Sequence, residues 1–218
     1  MKVIKIIGKI LGFIILAFLI ILAISFSIIA YQTSRSQIDY QEQIYEYSNK
    51  YNVDPMLTAA IIKVESDFDN SAKSHQNAKG LMQLLEDTAR HSAEVTGIEY
   101  FPERLEDVDY NLNLGVSYYK YLYKYYNNQE LALAAYNGGV GNVDDWIKDG
   151  TLDKNDPNIL DIPFDETRAY VTKVDSTYDV YKKFYKDQLP TKDQLSNLKE
   201  LSIRNFKIFI SDLINNLS

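Results

Sequence analysis

The chain has 218 residues, of which 46% are hydrophobic and 24% are charged, a composition typical of one folded domain of ordinary size with appendages. It contains no cysteine, which excludes a disulfide scaffold and a cysteine-ligated metal site. The net charge is −7, and because Lys2, Lys5 and Lys9 precede the first acidic residue, the rest of the chain is more acidic still. Such a body repels phosphate backbones, so we expect no nucleic-acid partner.

The first predicted element is a helix that spans a membrane. No residue from Ile10 to Tyr31 is charged, and a helix of this run is roughly 33 Å long, enough to cross a hydrocarbon core of about 30 Å. Three lysines precede the run and only Arg35 follows it closely, which places residues 1–9 in the cytoplasm by the positive-inside tendency. We therefore predict a single-pass anchor in the cell membrane at 10–31, with the body extracytoplasmic. A cleaved signal peptide is the alternative, although its apolar region usually has only about 7 to 15 residues.

A helical domain is predicted at 38–186, after a polar linker at 32–37. Asp54 followed by Pro55 is typical of a helix start, and no convincing alternating strand pattern occurs. Gly138 and Gly139 are expected to end a helix. Apolar residues at helical spacing predict further helices at 86–96, 108–126, 130–137 and 166–185, and 149–165 is predicted to be a loop. The predicted fold class is all-α.

Residues 187–218 form a separate amphipathic tail. Its polar face is not notably basic, so packing on the domain is favoured over binding to a membrane surface. A partner from the cell-wall or secretion machinery is a further alternative. The apolar residues predicted on one face of the tail helix are Leu195, Leu198, Phe206, Phe209, Leu213 and Leu217.

The sequence offers little to hold a metal or a cofactor, and we expect neither. Only His75 and His91 are available as imidazole ligands, and both are expected at the surface. The glycines at 139 and 141 do not complete a dinucleotide-binding loop, because Asp144 takes the place of the last glycine and no strand precedes them. The acidic run from Asp153 to Asp165 lacks the pattern of an EF-hand and is interpreted as a solvated loop.

One acidic residue lies in an unusual place. Glu65 follows Ile61, Ile62 and Val64 near the carboxyl end of the helix that starts at Pro55. Burial and the partial negative charge of a helix carboxyl end both disfavour the ionised form, so we expect a raised pKa for Glu65. A glutamic acid that stays protonated near neutral pH can act as a general acid. The alternative is an ordinary exposed glutamate at a helix end.

Four ordered motifs accompany Glu65. They are Glu65-Ser66 with Phe68, Ala72, Ser74 and Ala78; Gly80-Leu81-Met82-Gln83-Leu84 with Thr88-Ala89; Ala135-Tyr136-Asn137-Gly138-Gly139; and Glu166-Thr167-Arg168-Ala169-Tyr170-Val171. Over about residues 40–183 the chain resembles the family of soluble-type (SLT domain) lytic transglycosylases. It departs from the family at Asn70, Asn77 and Glu86, where Pro, Gly and Pro are common. Asn tolerates left-handed backbone, so the turn before Ala78 is expected to persist.

The resemblance implies an all-α, lysozyme-like domain whose cleft binds peptidoglycan glycan strands. It implies a lytic transglycosylase that cuts the MurNAc to GlcNAc β-1,4 bond, with Glu65 as catalytic acid and then base, and with 1,6-anhydroMurNAc ends as product. Asp67 and Asp69 are expected to be solvated loop acids. The alternatives are a hydrolytic muramidase on the same fold and a non-catalytic, membrane-tethered glycan-binding scaffold. The residues implied to line the cleft are Ser66, Ser74, Met82, Gln83, Tyr136, Asn137, Glu166 and Tyr170, with a core position as the alternative for Met82, Tyr136 and Tyr170.

Overall fold

The structure, a computed structural model, describes residues 2–35, 38–185, 189–191, 194 and 196–216. The chain divides into two compact units, one formed by its two ends, up to residue 37 and from residue 190, and the other by Ile38–Leu189. Within the described residues the regular secondary structure is helical, apart from isolated bridges that pair Lys79 with Lys73 and with Leu84. The all-α prediction is therefore confirmed.

The unit of the chain ends contains a long first helix, α1 (Lys2–Arg35). Its most apolar 18-residue window has a mean hydropathy of 3.1 and lies in a stretch long enough to cross a membrane. The helix continues through residues 32–35, where the sequence predicts a linker. The hydroxyls of Thr33 and Ser34 donate to the carbonyls of Ile29 and Tyr31, each at 2.7 Å, so these polar side chains do not interrupt the helix.

The last helix, α9 (Leu198–Asn215), packs against α1. The buried Asn205 amide donates to the Thr33 hydroxyl oxygen at 3.1 Å, and the rings of Phe26 and Phe206 meet edge to face at 5.4 Å. The amphipathic helix of the tail is thus present, but it packs on α1, whereas the sequence argument favours packing on the domain. Of its predicted apolar face, Leu213 is 47% exposed, and Leu195 and Leu217 lie outside the described residues.

Seven helices form the unit Ile38–Leu189 in the described part of the chain. Two short 3-10 turns, Pro102–Arg104 and Ile159–Asp161, lie in its loops. The helices are α2 (Gln41–Tyr51), α3 (Pro55–Ser66), α4 (Glu86–Thr96), α5 (Val108–Tyr126), α6 (Gln129–Gly138), α7 (Val140–Lys148) and α8 (Asp165–Tyr185). Helix α5 packs against α2, α4 and α6, and α8 packs against α3 and α6. The carboxyl end of α3 and the start of α8 are thereby held on the same core.

The ends of these helices follow the capping signals of the sequence. The Asp54 carboxylate accepts a hydrogen bond of 2.8 Å from the Met56 amide, and Pro55 occupies the first turn. Helix α6 ends at Gly138, and Gly139 has a φ of 88°, a backbone conformation that glycine adopts without strain. Helix α8 begins at Asp165, one residue before the predicted start.

Helix α7 is not among the predicted elements. It follows Gly139 directly, so α6 and α7 are separated by a single residue of non-helical backbone. Its buried residues are Val143 and Trp146, which lie on one face because they are three positions apart. The loop that connects α7 to α8 contains Phe164, whose ring packs edge to face on Trp146 at 5.0 Å.

Candidate active site

Glu65 lies in the last turn of α3 and opens onto a cleft of about 930 Å³. The apolar face of α3 positions it, because Ile61 and Ile62 are buried in the core and fix the helix below the cleft. The cleft lies entirely within the unit Ile38–Leu189. Its walls come from α3, from the segment between α3 and α4, from α4, α5 and α6, and from the start of α8 with the loop before it.

The Glu65 carboxyl favours its protonated form. Burial raises its pKa from 4.5 to about 8, whereas the Tyr170 hydroxyl lowers this pKa by interacting with the carboxylate. The buried Tyr170 hydroxyl does not reach regular hydrogen-bond geometry with any partner in the described residues. No acidic side chain is among the causes of the raised Glu65 pKa. Desolvation therefore keeps Glu65 protonated near neutral pH.

Segment 79–84 forms the wall beside Glu65, and three side chains fasten it. Ser66 donates to the Leu81 carbonyl at 2.9 Å, and Tyr136 donates to the Met82 carbonyl at 2.8 Å. The fully buried Asn111 accepts from the Met82 amide at 2.8 Å and donates to the Lys79 carbonyl at 3.0 Å. Helices α3, α5 and α6 each hold this segment through one polar side chain, which satisfies its buried backbone groups.

Left-handed backbone gives this wall its shape. Gly80 has a φ of 72°, and a Cβ there would lie 2.4 Å from the Asn111 amide nitrogen, so glycine is required. Gln83 has a φ of 44°, and its side-chain amide donates to the Ala72 and Gly80 carbonyls, both at 2.9 Å. Asn77 has a φ of 63°, and the turn before Ala78 is intact, as its sequence predicts.

Six of the nine residues proposed for the site line the cleft: Glu65, Ser74, Gln83, Tyr136, Asn137 and Glu166. Ser66 is buried and bonded to backbone carbonyls, and Tyr170 is buried behind Glu65. Met82 does not line the cleft, because the structure places its side chain in the core, the alternative position considered for it. It is 0% exposed and packs on Gly115, where an added Cβ would lie 2.4 Å from the Met82 sulfur.

The two acidic residues that follow Glu65 in sequence, Asp67 and Asp69, do not line the cleft. Asp67 is exposed and pairs with Lys63. Asp69 is exposed and accepts hydrogen bonds from Ser71, which lower the pKa of its carboxyl. Both are solvated acids of the loop after α3. Among the described residues, no group of three or more His, Asp or Glu side chains is arranged to hold a metal ion.

The chain matches the model of one protein family. The model of the family described as Transglycosylase SLT domain matches residues 42–158, which is more than half of the chain. The chain belongs to this family. The match contains α3, the segment that follows it, α5 and α6, and therefore most of the cleft.

Curated relatives of this SLT-domain protein include soluble and membrane-bound enzymes. A soluble lytic murein transglycosylase of Escherichia coli K12 is 33% identical over 162 residues, covering 72% of this chain and 25% of that protein. A membrane-bound lytic murein transglycosylase C of Photorhabdus laumondii is 34% identical over 115 residues, covering 48% of this chain and 32% of that protein. The chain thus spans about a quarter of the length of its soluble relative.

A solved structure establishes the fold type of the SLT domain. The crystal structure of an inactive glutamate-to-glutamine mutant of the lytic transglycosylase Slt from Pseudomonas aeruginosa is 32% identical in sequence. It superposes with a TM-score of 0.60 and covers 69% of this chain and 25% of that one. The lysozyme-like fold implied by the sequence motifs is confirmed.

Several further residues line the cleft of the SLT domain although no motif in the sequence marks them as site residues. His75 is exposed, as predicted, but it lines the cleft, as do Tyr118 and Phe164. Tyr118 is a helix-face residue of α5, and Phe164 follows a loop rich in Asp, Asn and Pro. Only the position of Phe164 next to the motif that begins at Glu166 signals a role in the site.

Proposed function

We propose that this chain is a peptidoglycan lytic transglycosylase that cuts the β-1,4 bond between MurNAc and GlcNAc without consuming water. The observation that carries this proposal is the half-buried Glu65 carboxyl, which opens onto the cleft with a pKa of about 8. At neutral pH this group holds the proton that the leaving glycosidic oxygen needs. Family membership supports the same activity.

Glu65 serves first as the acid. It donates its proton to the glycosidic oxygen while the bond from that oxygen to MurNAc C1 breaks. The 2-acetamido group of the substrate stabilises the cationic C1. The ionised Glu65 that remains is stabilised by the Tyr170 hydroxyl, which favours the carboxylate.

Glu65 then serves as the base. Its carboxylate accepts the proton of the MurNAc C6 hydroxyl, whose oxygen forms the new bond to C1. The products are a 1,6-anhydroMurNAc end and a free GlcNAc hydroxyl, and Glu65 has its proton again. The whole cycle uses one carboxyl group.

The acids around the cleft support a mechanism with one carboxylate. Asp67 and Asp69 point into solvent, and Asp165 pairs with Arg168 at the start of α8. Neither Asp165 nor Glu166 contributes to the raised pKa of Glu65. Most glycosidases use two carboxylates across the bond, and substrate-assisted enzymes are the exception to this rule.

Mass spectrometry of the digested glycan tests the proposal. Wild type should release fragments with 1,6-anhydroMurNAc ends, which weigh one water less than hydrolysed ends. Glu65→Gln should lose about 10³-fold or more in rate, since general acid and base catalysis each contribute about 10²- to 10⁴-fold. Asp69→Asn makes the same carboxyl-to-amide change at an exposed acid and should keep near-normal activity. Hydrated reducing ends would favour a muramidase, and an active Glu65→Gln would overturn the assignment.

We also propose that α1 crosses the cell membrane with its amino terminus in the cytoplasm and the catalytic domain on the cell-wall side. The apolar side chains of α1 are largely exposed within the structure, for example Phe13 at 72% and Ile21 at 60%, and a lipid environment would cover them. Protease added to cells stripped of their wall should digest the chain beyond Tyr31. Full protection of the domain would contradict this orientation.

A further inference from the structure

A row of tyrosine rings leads out of the cleft along α5. Tyr118 is buried, lines the cleft and contacts the Tyr136 ring at 5.9 Å. The Tyr121 ring lies 6.3 Å from Tyr118 at an interplanar angle of 11°, and the Tyr125 ring lies 6.5 Å from Tyr121 at 23°. We call Tyr118, Tyr121 and Tyr125 the tyrosine row. Its exposure increases with distance from the cleft, since Tyr121 is half-buried and Tyr125 is 49% exposed.

The helix places these rings on one face. Residues three and four positions apart are neighbours on a helix surface, and the seven positions from Tyr118 to Tyr125 correspond to about 10.5 Å along the axis. The row therefore continues the cleft by about two helical turns. This length is comparable to that of a disaccharide.

Neighbouring side chains hold the row in place. The His91 ring from α4 packs edge-on against Tyr118 at 6.0 Å and against Tyr121 at 6.4 Å. The Tyr125 hydroxyl donates to one carboxylate oxygen of Asp144 on α7 at 3.1 Å. Rings fixed in this way lose little conformational entropy when a ligand covers them.

We infer that the tyrosine row is an extension of the glycan-binding site. It would bind sugar residues of a β-1,4-linked N-acetylated glycan strand that reach beyond the cleft. Pyranose rings present apolar C–H faces and polar edges, which suits tyrosine, whose side chain combines an apolar ring with a polar hydroxyl. Because the row is continuous with the cleft through Tyr118 and Tyr136, a glycan strand bound in the cleft would extend onto the row. The inference rests on the proposed function.

A comparison of long and short substrates distinguishes sugar binding by the tyrosine row from a purely structural role of these rings. Glycan strands freed of peptides would be offered to the full chain in detergent, either as a tetrasaccharide or as long strands. In the double variant Tyr121→Ser with Tyr125→Ser, the ratio of kcat/KM for long strands to that for the tetrasaccharide should fall about three- to tenfold. Tyr125→Phe keeps the ring and should keep the ratio.

Tyr123 supplies the matched control. It is 37% exposed on the same helix, but its ring contacts Tyr119 and does not belong to the row. Tyr123→Ser should leave the ratio unchanged. An unchanged ratio in the double variant, or an equal fall in Tyr123→Ser, would overturn the inference.

A binding experiment keeps this inference separate from the proposed chemistry. In the Glu65→Gln background, the double variant should sediment with insoluble peptidoglycan about three- to tenfold less than Glu65→Gln alone. If wild type fails to cleave glycan, the proposed function fails, and this sedimentation still tests the row. If wild type cleaves and the double variant sediments normally, only the row inference fails.

Discussion

Replacing Glu65 by glutamine should stabilise the folded chain at neutral pH while it removes the proposed proton transfer. Burial raises the pKa of Glu65 from 4.5 to about 8, so the folded state binds this proton more tightly than the unfolded state. Between pH 4.5 and 8 the folded wild type therefore loses stability as the pH rises. Glutamine is neutral at every pH, so the variant lacks this loss.

The size of the effect follows from the two pKa values of the Glu65 carboxyl. Each pH unit above the unfolded value of 4.5 costs the folded wild type about 1.4 kcal/mol, which sums to about 3 kcal/mol at pH 7. Because the carboxyl is half-buried and opens onto the cleft, water screens part of this cost. We expect Glu65→Gln to be more stable than wild type by about 1–3 kcal/mol at pH 7. The difference should vanish near pH 4.

Trp146 allows this difference to be measured in the full chain. It is the single tryptophan, and it is buried against Phe164 in the same unit as Glu65, so its fluorescence reports the unfolding of that unit. Urea unfolding in detergent at pH 4 and at pH 7 would give the two stabilities. Asp69→Asn is the control, and it should change the free energy of unfolding at pH 7 in the opposite direction, because hydrogen bonds from Ser71 lower the pKa of Asp69. A Glu65→Gln variant that is less stable than wild type at pH 7, or a difference independent of pH, would refute the reasoning.

Three further predictions concern other parts of the chain. Glycan cleavage should decline as the pH rises through about 8, because the acidic form of Glu65 is lost; a pH profile of kcat without such a decline would contradict the assigned acid. Asn111→Ala should cost about 2–4 kcal/mol of unfolding free energy and reduce cleavage, since the Met82 amide and the Lys79 and Leu105 carbonyls all lose their partner; unchanged urea unfolding would contradict this. Asn205→Ala should loosen α9 from Thr33 and speed hydrogen exchange in α9, with the Trp146 unfolding transition unchanged.

The sequence predicts the helices that carry strong capping or periodic signals. Asp54 and Pro55 mark the start of α3, and Gly138 marks the end of α6. Helix α7 escapes prediction because it is short and follows a glycine pair, and Asp144 and Asp145 resemble loop residues. Its apolar positions become interpretable only when the core they face is known.

The sequence identifies Glu65 and most of the cleft wall, but it does not give side-chain directions. Met82 lies in a motif at the cleft, yet its side chain turns into the core and only its backbone faces Tyr136. Asn111 looks like any polar helix residue, although it is fully buried and fastens the wall beside Glu65. His75 reaches the cleft from a loop, and the path of a loop depends on tertiary contacts that no local pattern records.

Because α9 packs on α1, the domain Ile38–Leu189 is joined at its start to one helix of this pair and at its end to the other. A single peptide cut between α1 and the domain would therefore not release the domain, because α9 still carries it and still binds α1 through Asn205 and Phe206. In the intact chain the two helices meet at high effective concentration, so their contact re-forms quickly after each opening, and a cut between α1 and the domain removes this advantage. Release of the domain from α1 then requires two events, a proteolytic cut and the separation of the helix pair, and a chain nicked once is held only by this noncovalent contact.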